Sequence, residues 1–120
     1  MPMPDGRLMH AEIKVGDSFI MLSDEFPEFE GGKSPKSLGG CTTSIHLYVR
    51  DCDAAFKRAV DAGATAKMPP MDMFWGDRFG KLTDPFGHEW SVATHVEDVT
   101  PAEMEKRTKA ELAKMAGGGQ

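Results

Sequence analysis

Cysteine is scarce in this chain: only Cys41 and Cys52 occur in 120 residues. Two thiols make no disulfide framework, and each is expected to be reduced and partly buried. No apolar run approaches the roughly 20 residues that span a bilayer, which excludes a membrane-spanning helix. Basic charge is not in excess either. A net charge of −5 argues against a broad nucleic-acid footprint, which needs a basic face. The opening stretch MPMPDGRLMH lacks the charged-then-apolar pattern of a secretory leader, so a cytoplasmic location is expected. What remains is ordinary: 40% hydrophobic and 28% charged residues, the balance of a globular domain at a one-domain length.

Periodicity then sets out the elements. RLMHAEIKVGDSFIMLSDE predicts a hairpin from Leu8 to Ser23 that turns at Gly16-Asp17. The Gly-, Pro- and Ser-rich stretch EFPEFEGGKSPKSLGG predicts a surface loop. In TTSIHLYVR, Ile45, Leu47 and Val49 share one strand face, and Ser44, His46 and Tyr48 the other. A short helix follows over 52–62, with Asp51 or Asp53 near its start and Gly63 at its end. Its stripe of Cys52, Phe56, Ala59 and Val60 is expected to cover the Ile45/Leu47/Val49 face. Paired prolines confine TAKMPPMDMFW to an edge or a bend. A second hairpin spans GDRFGKLTDPFGHEWSVATH, and Thr100, Pro101 and Glu103 begin a last helix through a capping box. Its inner stripe is read as Met104, Thr108, Leu112 and Met115.

A faint repeat runs through this order. Arg7 and Arg78, Gly16 and Gly87, and Phe19 and Trp90 are each separated by 71 positions. Each pair marks a corresponding stage of the two hairpins: entry, turn and return strand. The second hairpin is preceded by strand 43–49 and helix 52–62, so the repeat implies a strand-helix-three-strand unit. Counterparts of that strand and helix before the first hairpin would fall ahead of Met1.

That order, together with MPMPDGRLMHAEI, SPKSLGG, GDRFGKLTDPFGHEW and ATHVEDV, resembles the glyoxalase/bleomycin resistance/dioxygenase superfamily, the vicinal oxygen chelate fold, and most closely its PhnB-like branch. The resemblance implies an α+β domain in which βαβββ units curve a mixed sheet, flanked by helices, around a cavity. On this reading residues 1–24 are a remnant of an incomplete first module, 41–95 a complete second module, and 100–116 a C-terminal helix, all in one domain. Metal-using relatives place His, Gln or Glu on the cavity strands. The corresponding positions here would be Ile20 or Met21, Ser44 and Ser91, none of which suits a tight divalent site. No metal or other cofactor is therefore expected.

LTDPFGHEWSVATH, with His88, Glu89 and His95 close in sequence, is the most metal-like stretch. Strand alternation puts His88, Trp90 and Val92 on one face, and Glu89, Ser91, Ala93 and His95 on the other. Glu89 and His95 lie six positions apart, about 20 Å along an extended strand, too far to chelate together. His46 could form a proton-moving pair with Glu89, though a pocket-lining polar group explains it more simply. Phe74, Trp75 and Phe79 cluster around the bend Gly76-Asp77-Arg78, where a ligand wall and core packing both fit. Arg78 either orients an anionic or carbonyl ligand or, the favoured reading, pairs with Asp77 or Asp84.

The resulting expectation is a metal-free protein that binds a small, partly apolar molecule through Ser44, His46, Tyr48, Trp75, Arg78, Glu89 and Ser91. No catalytic residue is assigned, and no nucleic-acid or membrane partner is expected. The alternatives are a metal-dependent lyase, isomerase or dioxygenase with His10, Glu12, His46 or Glu89 as substitute ligands, and an assembly module without a ligand. A homodimer is expected, joined through residues 8–23 and 101–115, because the first hairpin leaves an unpaired edge and an uncovered apolar face.

Overall fold

A computed structural model describes residues 4–29 and 32–118. Strands β1 (Ala11–Val15) and β2 (Ser18–Leu22) form a hairpin that is a sheet of its own. A 3-10 turn (Pro27–Phe29) and a one-turn helix α1 (Pro35–Leu38) follow. Then come β3 (Ser44–Tyr48), α2 (Cys52–Asp61), β4 (Thr65–Asp72), β5 (Asp77–Thr83), β6 (Glu89–His95) and α3 (Pro101–Gly118). The second sheet has the order β3-β6-β5-β4, with β3 parallel to β6 and the other pairs antiparallel. This is the expected βαβββ module.

Local chemistry accounts for the boundaries. Asp51 has an extended backbone and caps α2 by accepting a hydrogen bond from the Ala54 amide at 3.2 Å. Gly63, at φ 120°, turns the chain out of the helix. Residues 34–39 are more ordered than the loop composition of their surroundings suggested. Ser34 caps α1 by accepting from the Ser37 amide, Pro35 opens the helix, and Gly39 ends it at φ 83°. The β5–β6 turn is held by Asp84, whose Oδ1 accepts from the Phe86 and His88 amides, both at 2.9 Å. Asp84 Oδ2 also accepts from Trp90 Nε1 at 3.0 Å.

Two expectations about packing change. Helix α2 lies over β4, β5 and β6 rather than over β3. It connects strands at opposite edges of the sheet, so it must cross the two strands in the middle. The core therefore sits under the helix at Cys52, Leu82 and Val92, while Ile45 and Leu47 are only half-buried. Burial pushes the Cys52 thiol up, which keeps it protonated and unreactive. In α3, Met104 and Thr108 are half-buried but Leu112 and Met115 are 58% and 70% exposed, so the inner stripe covers only the first part of the helix. The capping box is half-formed too. Thr100 Oγ1 accepts from the Glu103 amide, but the Glu103 carboxylate turns to Arg107.

The return strands start 71 positions apart, β2 at Ser18 and β6 at Glu89. The turns differ. β1–β2 turns on two residues between Val15 and Ser18, whereas β5–β6 turns on the five residues between Thr83 and Glu89.

Candidate functional site

Away from α2, the concave face of the sheet carries alternate residues of three strands. From β3 come Ser44, His46 and Tyr48; from β6, Glu89, Ser91, Ala93 and His95; from β5, Asp77, Phe79, Lys81 and Thr83. The register sets Ser44 beside Glu89, His46 beside Ser91 and Tyr48 beside Ala93. His46 Nδ1 lies 2.6 Å from Ser91 Oγ. His46 pairs with Ser91 rather than Glu89, because the parallel register gives it the next residue on that face, in keeping with the simpler reading of His46 as a polar group lining a pocket.

Rings build one wall. His46 meets Tyr48 edge-on at 5.0 Å and Phe79 at 5.7 Å. Trp75 packs edge-on against both Phe74 and Phe79, at 5.1 and 5.6 Å. Such offset geometries are the favourable ones for aromatic pairs. Tyr48 nevertheless remains 63% exposed, so the wall is an open surface.

The group that organises this wall is Asp77, read from sequence only as a possible partner for Arg78. It is 3% exposed. Its Oδ2 accepts from Tyr48 OH at 2.7 Å and from Trp75 Nε1 at 3.0 Å, and its Oδ1 lies 3.3 Å from His95 Nδ1. Burial alone would push its carboxyl up, but the bonds from Tyr48, His95 and Trp75 outweigh burial and hold it below the usual carboxylate range. Accepting the phenol proton raises Tyr48, which stays protonated. The ring of His95 is raised by Asp98, 2.7 Å from Nε2, and then by Asp77.

Arg78 is not with the other expected residues. It points from the opposite face of β5 to Asp53 on α2, at 2.7 and 3.1 Å, and to Asp72 at 3.2 Å. Both carboxylates raise it further above its already high value. It fastens helix to sheet. Ser44, His46, Tyr48, Glu89 and Ser91 do share the concave face, with Trp75 joined to Tyr48 through Asp77.

Sequence reasoning also missed Lys67 and Lys81. With Ser44, Leu82, Glu89, Trp90 and Ser91 they line a cleft of about 260 Å³. A larger depression of about 490 Å³, between the first hairpin and His88, shares no residue with it. That depression is wide open and lies off the β3–β6–β5 face, whereas Ser44, Glu89 and Ser91 of that face line the smaller cleft, which is the better candidate.

The residues present do not fit a divalent metal. Ser44 and Ser91 offer neutral hydroxyls, and Ser91 is already engaged with His46. Ile20 and Met21 lie on a hairpin that does not join this sheet. The substitute ligands are dispersed: His10 pairs with Glu12 at 3.0 Å on the hairpin. Among the described residues no three His, Cys, Asp or Glu side chains converge as a metal site requires.

Comparison with known proteins agrees with this architecture. A profile of the Glyoxalase/Bleomycin resistance protein/Dioxygenase superfamily matches residues 2–92. The uncharacterized protein Mb0911c of Mycobacterium bovis is 47% identical over 107 residues, which cover 88% of this chain and 70% of that protein. Rv0887c of Mycobacterium tuberculosis, also uncharacterized, is 47% identical over the same share of this chain, which spans 63% of its length, under two thirds. Among solved structures, protein PA1353 of Pseudomonas aeruginosa superposes with a TM-score of 0.57 at 30% identity, covering 81% of this chain and 71% of that one. The matched profile spans the whole strand-helix-strand part of the module, and the chain belongs to the Glyoxalase/Bleomycin resistance protein/Dioxygenase superfamily.

Proposed function

We propose that this protein binds a small, partly apolar molecule on the concave face of β3, β6 and β5, without a metal. The observation that carries the reading is the open wall of Tyr48, Trp75 and Phe79, two of whose rings are fixed by one buried carboxylate, Asp77. Rigid rings with polar groups at their margin are what an amphipathic ligand needs, because little ordering remains to be done on binding. His46, Ser91, Ser44 and Glu89 supply that margin. The fold itself licenses no reaction.

The test is protein-observed NMR against a library of neutral aromatic fragments. Hits should shift the signals of Tyr48, Trp75 and Phe79, and a Tyr48→Ala/Trp75→Ala double variant should lose at least tenfold in affinity. Hits confined to other surfaces, or undiminished binding by the double variant, would refute the reading.

Within the superfamily we assign the chain to the PhnB-like branch on its SPKSLGG and GDRFGKLTDPFGHEW strings, and to the cytoplasm. We read the first hairpin as the return half of a first module, related to β5–β6 by the 71-residue offset. No helix of the described residues is long and apolar enough to cross a membrane.

A homodimer completes the proposal. The hairpin face Ala11, Ile13, Val15, Ile20 and Leu22 is apolar, and Ile13 and Leu22 are each 42% exposed. On α3, Leu112 and Met115 are bare as well. The radius of gyration, 18.2 Å, exceeds the roughly 14 Å of a compact chain of this length. A second copy would cover these surfaces with the same residues reciprocally. Light scattering at low micromolar concentration is expected to give twice the chain mass, and Ile13→Asp with Leu112→Asp to halve it. A folded wild-type monomer would contradict the dimer.

A further inference from the structure

We infer that the ligand of this face carries an oxyanion, seated in the cleft between Lys67 and Lys81, with its apolar part against Phe79 and Trp75. The inference rests on the reading of the concave face as a ligand site and names the class of ligand it takes.

Charge is the first observation. The chain carries a net −5, yet the cleft is lined by two ammonium groups and one carboxylate, Glu89. The lysine ion pairs lie elsewhere: Lys57 with Asp61, Lys109 with Glu105, and Lys114 with Glu111. Among the described residues, neither Lys67 nor Lys81 has a carboxylate within ion-pair distance. A cleft lined by more positive than negative side chains concentrates anions against the overall field.

Hydrogen bonding is the second. Ser44 and Ser91 line the same cleft, and Ser91 Oγ is already paired with His46 Nδ1, so the Ser44 hydroxyl is the freer of the two. Hydroxyl and ammonium donors together suit an acceptor-only group such as a carboxylate or phosphate.

Continuity with the aromatic wall is the third. Lys81 Nζ stands 5.9 Å from the Phe79 ring centroid, and Phe79 packs against both Trp75 and His46. One molecule with an anionic head and a planar body would therefore span both halves of the face.

The experiment titrates benzoate, phenyl phosphate and the neutral isostere benzamide into the wild-type protein and a Lys67→Met/Lys81→Met variant, followed by NMR. For wild type, one of the two anions should bind at least tenfold tighter than benzamide, and the stronger of the two identifies carboxylate or phosphate as the head. In the variant that preference should fall below twofold through loss of anion affinity. Equal binding of anions and benzamide by the wild type overturns the oxyanion and leaves the aromatic site standing. An anion preference that survives in the variant overturns the role of the lysines. Failure of all three probes to perturb the face overturns this inference and counts against the site itself.

Discussion

Replacing Asp77 with alanine is expected to cost about 2–3 kcal/mol of stability and to abolish binding on the aromatic face. The carboxylate is almost wholly hidden and is the shared acceptor for Tyr48, Trp75 and His95. Its removal leaves three donors to find water, and Trp75 is the worst placed because it is packed between Phe74 and Phe79. Urea denaturation followed by circular dichroism at several pH values reads the effect. Asp77 has a folded pKa below its ordinary 3.8, so its stabilisation is present above that value and is lost as pH falls through the lower folded one. His95 has a folded pKa above its ordinary 6.5, so its contribution is complete below 6.5 and is lost as pH rises through the raised value. The gap between wild type and variant should therefore be widest between about pH 4 and pH 6.5 and narrow on both sides. A variant within 0.5 kcal/mol of wild type at about pH 5.5 would show that the carboxylate does not hold the wall together.

Gly76→Ala should be at least as damaging. Gly76 is buried at φ 100°, where a side chain is strained in any surroundings. A Cβ there would also stand 2.5 Å from the Glu97 carbonyl oxygen and 3.0 Å from Val99 Cγ2. Nor can the neighbouring chain step aside freely, because the Val96 and Glu97 amides both donate to the Gly76 carbonyl, at 2.9 and 3.1 Å. Strain and collision together should cost about 3 kcal/mol or more, a fall in Tm of more than about 10 °C. Gly63→Ala separates the two causes. Gly63 has φ 120°, but its added carbon would meet only Pro85 Cγ, at a comfortable 3.6 Å. It should lose only about 1–2 kcal/mol. Equal losses at the two glycines would mean that the contact with Glu97 is relieved cheaply.

The order of elements was legible because it rests on near-neighbour patterns. Alternation in β3, the Asp51 cap and the glycine after α2 are written within a few residues of where they act. The polar face of β3 and β6 follows from the same two-residue period. What escaped depends on register and crossover. Asp77 sits in a Gly-Asp-Arg sequence that reads as a turn, and its importance appears only when β3 brings Tyr48 across from 29 positions away. Lys67 stands two residues before a proline pair in an irregular strand whose pairing shifts twice, so alternation does not assign its face. Arg78 was placed among the ligand residues for its neighbours in sequence, whereas its strand face turns it toward Asp53. Segment 34–39 combines a serine cap, proline and glycine, the chemistry of a short helix as much as of a loop.

The prolines of β4 have a consequence for how this sheet can grow. Pro69 and Pro70 offer no amide hydrogens, and the register breaks on either side of Met68. A strand arriving along that margin would meet missing donors and a shifted ladder, so β4 behaves as a terminator. The opposite margin, β3, runs regularly from Ser44 to Tyr48 without proline. The sheet thus has a preferred direction of extension: a further strand, from this chain or another, is added more readily beyond β3, on the side where Tyr48 opens the aromatic face.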